Sequence, residues 1–248
     1  MGSSMTVRQS KLIGMVGGMS WESSALYYRL LNAAAHRRLG GHHNARSVLF
    51  TLDFDELNTM ASMGRWDSVS ERVAEAARCL EWAGADFVII TAVTPHSVAD
   101  QVEAAIGIPL LHLADPTAVA IRNRGFSRVG LLGTRYTMEM DFFRQRLRDR
   151  HGLDVITPLQ EQRTALHRII VDELTLGAVK NASKAALLQM ARDLQARGAE
   201  AIIVGCTELP LLLDTDDYPL PAFDVTVLHA EAAVDLALET DPREASEA

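Results

Sequence analysis

The chain has 248 residues, 48% hydrophobic and 23% charged, enough apolar material for one large or two small globular domains. That balance excludes a disulfide-bound mini-protein and a disordered chain. Lys and Arg total 24 against 32 Asp and Glu, a net charge of −8 with no basic block, so no nucleic-acid partner is expected.

No apolar run approaches the roughly 18 to 20 residues of a membrane helix, so no membrane partner is expected either. The opening MGSSM has neither the charged nor the apolar segment of a secretory signal, and residues 1–10 are expected to be a disordered start. The first strand candidate covers 11–16 and is followed by Gly17-Gly18-Met19-Ser20 and a helix over 21 to about 39, which Ser20 can cap. Further strand candidates cover 47–52, 87–91, 109–111, 128–132, 154–156, 201–204 and 221–223, with helical stretches between nearly all of them. This alternation predicts parallel pairing with right-handed crossovers. The helix near 68–83 sets Val69, Val73, Ala76, Ala77 and Leu80 against Glu71, Arg72, Glu75 and Arg78, and Gly84 stops it. The polar stretch 240–248 is expected to be a disordered tail.

An internal repeat organises these elements. Residues 84–94, GADFVIITAVT, align with residues 198–208, GAEAIIVGCTE, and IGMVGG at 13–18 aligns with VGLLGT at 129–134. Two copies are too few for a solenoid. They predict an α/β fold of two pseudo-twofold-related Rossmann-like lobes, each with a parallel sheet, separated by a cleft. One lobe takes 11–115 plus 225–239 and the other 116–224. Ligands of open α/β sheets sit beyond the carboxyl ends of the strands, so the loops at Gly17, Ala92, Gly133 and Cys206 should converge.

Two cysteines, Cys79 and Cys206, form neither a metal knuckle nor a CxxC pair, which fits a reducing cytoplasm. Cys79 lies within an amphipathic helix and reads as packing. Cys206 lies between a buried strand and Thr207-Glu208-Leu209-Pro210, where Pro210 can open a helix. Free N–H groups and a helix dipole there are expected to lower the thiol pKa from about 8.5 and to hold a carboxylate. A buried structural cysteine is the alternative. Gly18, Met19 and Ser20 form either an anion-holding turn or a plain strand-to-helix turn. Thr134, Tyr136 and Thr137 are their counterparts, and Arg135 is either a carboxylate partner or a solvated charge. His96, after Thr94 and Pro95, is a candidate acid or a structural histidine. Asp53 and Asp55 are minor candidates. His42, His43, His112 and His229 lack ligand spacing, so no metal is expected.

Together, KLIGMVGGMSWES, the strand with Thr94 and His96 after it, LLGTRYTME and IIVGCTEL resemble the aspartate/glutamate racemase family over residues 11 to 238. GGMSWES, RLGG, GTRYTM and GCTE are most similar to its broad-specificity amino-acid racemase branch. The resemblance implies two Rossmann-like lobes in an often dimeric enzyme that needs no cofactor and takes a small amino acid or carboxylate. In the family, two cysteines face opposite sides of the substrate α-carbon. The second matches Cys206. The first is followed by Asn-Thr-x-His; Thr94 and His96 match that motif, but Val93 replaces the Asn and Ala92 replaces the cysteine. Thr175 stands where several aspartate-directed members carry a lysine.

Alanine neither abstracts nor donates a proton, so the expected activity is one-sided chemistry by Cys206 at the α-carbon, with Thr94 or water serving the other face. Ala92, Val93, Thr207 and Glu208 complete the expected substrate contacts. The alternatives are a single-thiol, cofactor-free decarboxylase or lyase, and a binding protein that keeps a carboxylate cradle of Met19, Ser20, Thr134 and Thr207.

Overall fold

Apolar runs such as Ile13–Gly17 and Ala201–Gly205 are buried along their whole length, as strands covered on both faces must be. A computed structural model, which describes residues 10–239, arranges them with the intervening helices in regular alternation. The first half contains β1 (Ile13–Gly17), α1 (Trp21–Leu39), β2 (Ser47–Thr51), α2 (Phe54–Ser62), α3 (Trp66–Trp82), β3 (Phe87–Ile90) and α4 (Ala99–Ala105). The second continues with α5 (Ala114–Asn123), β4 (Arg128–Gly133), α6 (Arg135–Glu139), α7 (Asp141–His151), β5 (Asp154–Ile156) and α8 (Gln160–Asp172). It ends with α9 (Asn181–Ala196), β6 (Ala201–Gly205), β7 (Ala222–Asp224) and α10 (Val225–Leu238). The expectations for 1–9 and 240–248 lie outside the described residues.

Two parallel sheets result, ordered β2-β1-β3 and β5-β4-β6-β7. The strand expected at 109–111 is reduced to a single bridge, Leu110 to Val88. The N–H of Val88 donates to the Pro109 carbonyl at 2.8 Å and that of Leu111 to the Val88 carbonyl at 2.9 Å. Proline has no N–H to extend the ladder. Leu110 nevertheless stands beside β3 as β7 stands beside β6.

The repeat has a physical basis at the strand starts. A Cβ on Gly14 would lie 2.9 Å from Ala85 Cβ and 3.2 Å from Leu80 Cβ. One on Gly130 would lie 2.8 Å from Leu194 Cδ1 and 3.2 Å from Leu194 Cβ. Each glycine lets a crossover helix, α3 or α9, press on the first strand of its sheet. Asp86 accepts from the Leu12 N–H at 2.5 Å, and Glu200 accepts from the Ser127 and Arg128 N–H groups at 2.7 and 2.9 Å.

The core joins the two halves. Leu113, Ala118 and Ile121, in and before α5, pack with Val129, Leu131 and Ile203 of the second sheet. Ala230, Ala233 and Val234 of α10 pack with Ile13, Met15 and Phe87 of the first. Each sheet is thus followed by a helix that packs with the other. Among the described residues no helix is long and apolar enough to cross a membrane.

Candidate active site

The strand ends of both sheets open into one cavity of about 140 Å³. Met19 and Ser20 after β1, Ala92, Val93 and Thr94 after β3, Thr134 and Tyr136 after β4, and Cys206, Thr207 and Glu208 after β6 all line it. Ala92 and Cys206 therefore share a cavity, and they occupy equivalent positions two residues beyond the paired Val16/Ile90 and Leu132/Val204.

Local sequence explains how these side chains are held. Ser20 caps α1, accepting from the Ser23 N–H at 3.2 Å. Thr134 caps α6 in the same way, accepting from the Thr137 N–H at 3.2 Å. Its hydroxyl also lies 3.1 Å from that of Thr137 and 3.2 Å from that of Thr94, so a chain of hydroxyls bridges the two halves at the cavity wall. Thr137 stands behind this wall, fully buried, rather than in the lining. Gly18 is also outside the lining; its φ of +89° and a Cβ position 2.0 Å from the Leu52 carbonyl oxygen leave room only for glycine.

Cys206 is buried, 4% exposed, and its thiol donates to Glu208 Oε2 at 3.0 Å. The Thr207 hydroxyl donates to the same oxygen at 2.7 Å, and Ser20 Oγ lies 3.4 Å from Oε1. Burial, and secondarily the negative charge of Glu208, push the thiol well above its usual range. The N–H groups of Glu208 and Leu209 act in the opposite sense and do not prevail. This reverses the expected lowering. Instead of a helix starting at Pro210, a single 3-10 turn, Leu209–Leu211, follows, too short to carry a useful dipole.

Three other sets of candidates lie outside the cavity lining. His96 is buried and does not line the cavity. Its Nδ1–H donates to the Ala92 carbonyl at 2.8 Å and its Nε2 accepts from the Leu113 N–H at 3.4 Å, so the ring is a neutral brace behind the Ala92 loop. Burial keeps it from charging. Arg135 is exposed, its guanidinium stacked 5.4 Å from the centroid of the Tyr136 ring, outside the lining. Asp53 caps α2, accepting from the Glu56 N–H at 3.0 Å, and Asp55 lies in its first turn. Thr91 turns its hydroxyl to Ser24 and the Val16 carbonyl, away from the cavity.

Sequence reasoning missed the walls. Phe54, Leu57 and Asn58 of α2, Trp66 and Val69 of α3, and His167, Ile170 and Val171 of α8 line the cavity, beside Thr175, which the sequence did single out. Nothing short-range marks them, because helical periodicity reports a buried face without saying which sheet or cleft it meets. Among the described residues no group of three or more His, Cys, Asp or Glu is placed to hold a metal ion.

Residues 16–233 match the family described as Asp/Glu/Hydantoin racemase. The chain belongs to that family. Over 168 residues, 68% of this chain and 72% of the relative, it is 26% identical to a broad-specificity amino-acid racemase of Bacillus subtilis. Among solved structures, a candidate Asp/Glu racemase from Yersinia pestis is 45% identical with a TM-score of 0.87, covering 92% of this chain and 100% of that one. An aspartate racemase homologue from Pyrococcus horikoshii is 32% identical with a TM-score of 0.81, covering 92% and 100%. Family membership carries an amino-acid racemase-like isomerase function.

Proposed function

We propose that this family member moves the α-proton of a small amino or carboxylic acid on one face only, with Cys206 as its single thiol. The observation that carries the reading is the Cys206–Glu208 hydrogen bond in a cavity whose opposite strand end presents Ala92. Because the thiol rests protonated, it becomes a base by passing its proton to the Glu208 carboxylate as substrate enters. The thiolate then takes the α-proton, the electron pair stays on the substrate carbon as an enolate, and the N–H groups of Glu208 and Leu209 ease the charge. Hydroxyls of Thr94, Thr134 and Thr207, together with Ser20 and the Met19 turn, hold the substrate carboxylate and stabilise the enolate. His96 and Thr137 support the loops from behind.

Return of a proton from Cys206 retains configuration. Inversion needs a donor on the Ala92 face, where Thr94 or water is available. Proton NMR in D₂O should therefore show α-deuteration of one enantiomer outpacing inversion, and Cys206→Ala should abolish both while Cys79→Ala changes neither. Ala92→Cys should raise inversion by roughly 10²- to 10⁴-fold, the contribution of a positioned acid or base. Absence of exchange with any amino acid would overturn the reading.

One observation favours a second reading. Cys206 points its S–H at Glu208 Oε2, 3.0 Å away, and a buried thiol that keeps its proton suits the donation of that proton to an enediolate left by loss of CO₂. Malonic acids that lose CO₂ in the same tubes, without α-exchange of amino acids, would establish that decarboxylase; saturable binding with neither reaction would leave the carboxylate-binding protein. The division into lobes of 11–115 plus 225–239 and 116–224, the homodimer and the cytoplasmic location belong to this proposal too. Sedimentation of the purified chain tests the dimer.

A further inference from the structure

We infer that the substrate of this cavity carries an uncharged, apolar side chain of medium size, of the leucine or methionine kind, rather than a second carboxylate. The inference rests on reading the cavity as the substrate site. Its polar groups come from the strand-end loops, where the α-carboxylate and α-carbon are handled. The helices supply the rest: Phe54 and Leu57 from α2, Trp66 and Val69 from α3, Ile170 and Val171 from α8. Phe54 and Val171 are 44% and 42% exposed, apolar surface that a substrate side chain would cover.

Among the described residues no Lys or Arg lines the cavity, and the one carboxylate that does, Glu208, already stands against the thiol. Burial and the nearby Arg135 hold His167 below the usual histidine range, so at neutral pH it offers no positive charge. A second carboxylate would lose its water against apolar walls, find no cation, and meet the Glu208 charge. A branched or thioether side chain meets none of these costs and gains from the burial. The volume of about 140 Å³ must hold the α-carboxylate and α-carbon as well, which limits the side chain to medium size.

Two measurements on the full chain test this. Exchange rates in D₂O should favour leucine or methionine over aspartate or glutamate by at least about 100-fold in kcat/KM, as burying an unpaired charge requires. Calorimetric titration, which needs no turnover, should show leucine binding at least about tenfold more tightly than glutamate. Asn58→Lys, at an exposed lining position of α2, should shift the leucine-to-glutamate ratio toward glutamate by about tenfold through an added cation. Failure of exchange with every amino acid would sink the proposed reaction, while the titration would still decide the substrate class. Glutamate or aspartate binding within threefold of leucine would overturn the inference. So would an unchanged ratio in a folded Asn58→Lys variant, or no binding by any of the four.

Discussion

Glu208 decides what Cys206 can do. Both residues are legible as part of one short motif, and the repeat identifies Ala92 as the partner of Cys206. The thiol's protonation state is not legible, because it depends on burial depth and on a carboxylate two residues away that folds back to accept the S–H. The bracing role of His96 is hidden for a related reason: its bonds to the Ala92 carbonyl and the Leu113 N–H are tertiary facts. The charge on Glu208 can be separated from its hydrogen bond. Glu208→Gln keeps an acceptor for the thiol and removes the charge, so Cys206 should ionise at lower pH than in the parent. Alkylation rate against pH, in a Cys79→Ala background, reads this directly, and turnover should fall roughly 10²- to 10⁴-fold because the proton acceptor is gone. An unmoved ionisation midpoint would assign the whole upward shift to burial.

Among the elements, the strand starts show why a repeat in sequence becomes a repeat in space. The pairs Gly14/Gly130, Leu80/Leu194 and Asp86/Glu200 recur because a helix must lie on the first strand and a carboxylate must hold the backbone entering it. Periodicity located nearly all the strands for this reason. It overestimated 109–111, where Pro109 limits pairing to one bridge, and it said nothing of the cavity walls that α2, α3 and α8 supply. The two glycines are not equally tolerant. An alanine at Gly130 meets the movable Cδ1 ends of Leu194 and Ile202 at 2.8 and 3.0 Å. One at Gly14 meets Ala85 Cβ at 2.9 Å and the Phe87 carbonyl oxygen at 3.2 Å, neither of which can rotate away. Gly14→Ala should therefore cost about 1–3 kcal/mol in urea unfolding, the usual range for overpacking, and Gly130→Ala less. Equal costs would mean that side-chain rotation gives no relief at α9.

At the scale of the molecule, two parallel sheets follow from buried apolar strands alternating with crossover helices, and so they are legible in the sequence. The seam between the halves is not. There His96 and His112 lie with ring centroids 4.6 Å apart, and His96 and His229 with centroids 5.8 Å apart, all three rings buried. His229 Nε2–H donates to the Leu111 carbonyl at 2.8 Å, so its Nδ1 accepts from the Tyr27 hydroxyl at 2.9 Å. His112 Nδ1 accepts from the Ala114 N–H at 3.1 Å. Each ring is thus bound in its neutral form, and protonation removes an acceptor that the fold uses.

Burial, the largest cause in all three, lowers these histidines below their unfolded value of about 6.5, His229 to about 4. Between those values the unfolded chain binds more protons than the folded one, so stability is fully present above about pH 6.5 and is lost as pH falls. Each excess proton gives a slope of about 1.4 kcal/mol per pH unit, so three histidines together give up to about 4. Urea unfolding followed from pH 7.5 to 5 covers the window before most carboxylates titrate. It should show a slope approaching two to three protons, and His229→Phe should be less stable at pH 7.5 yet lose stability less steeply. A stability that stays level from pH 7.5 to 5, or a slope that His229→Phe leaves unchanged, would show that the seam does not control the acid limit of the fold.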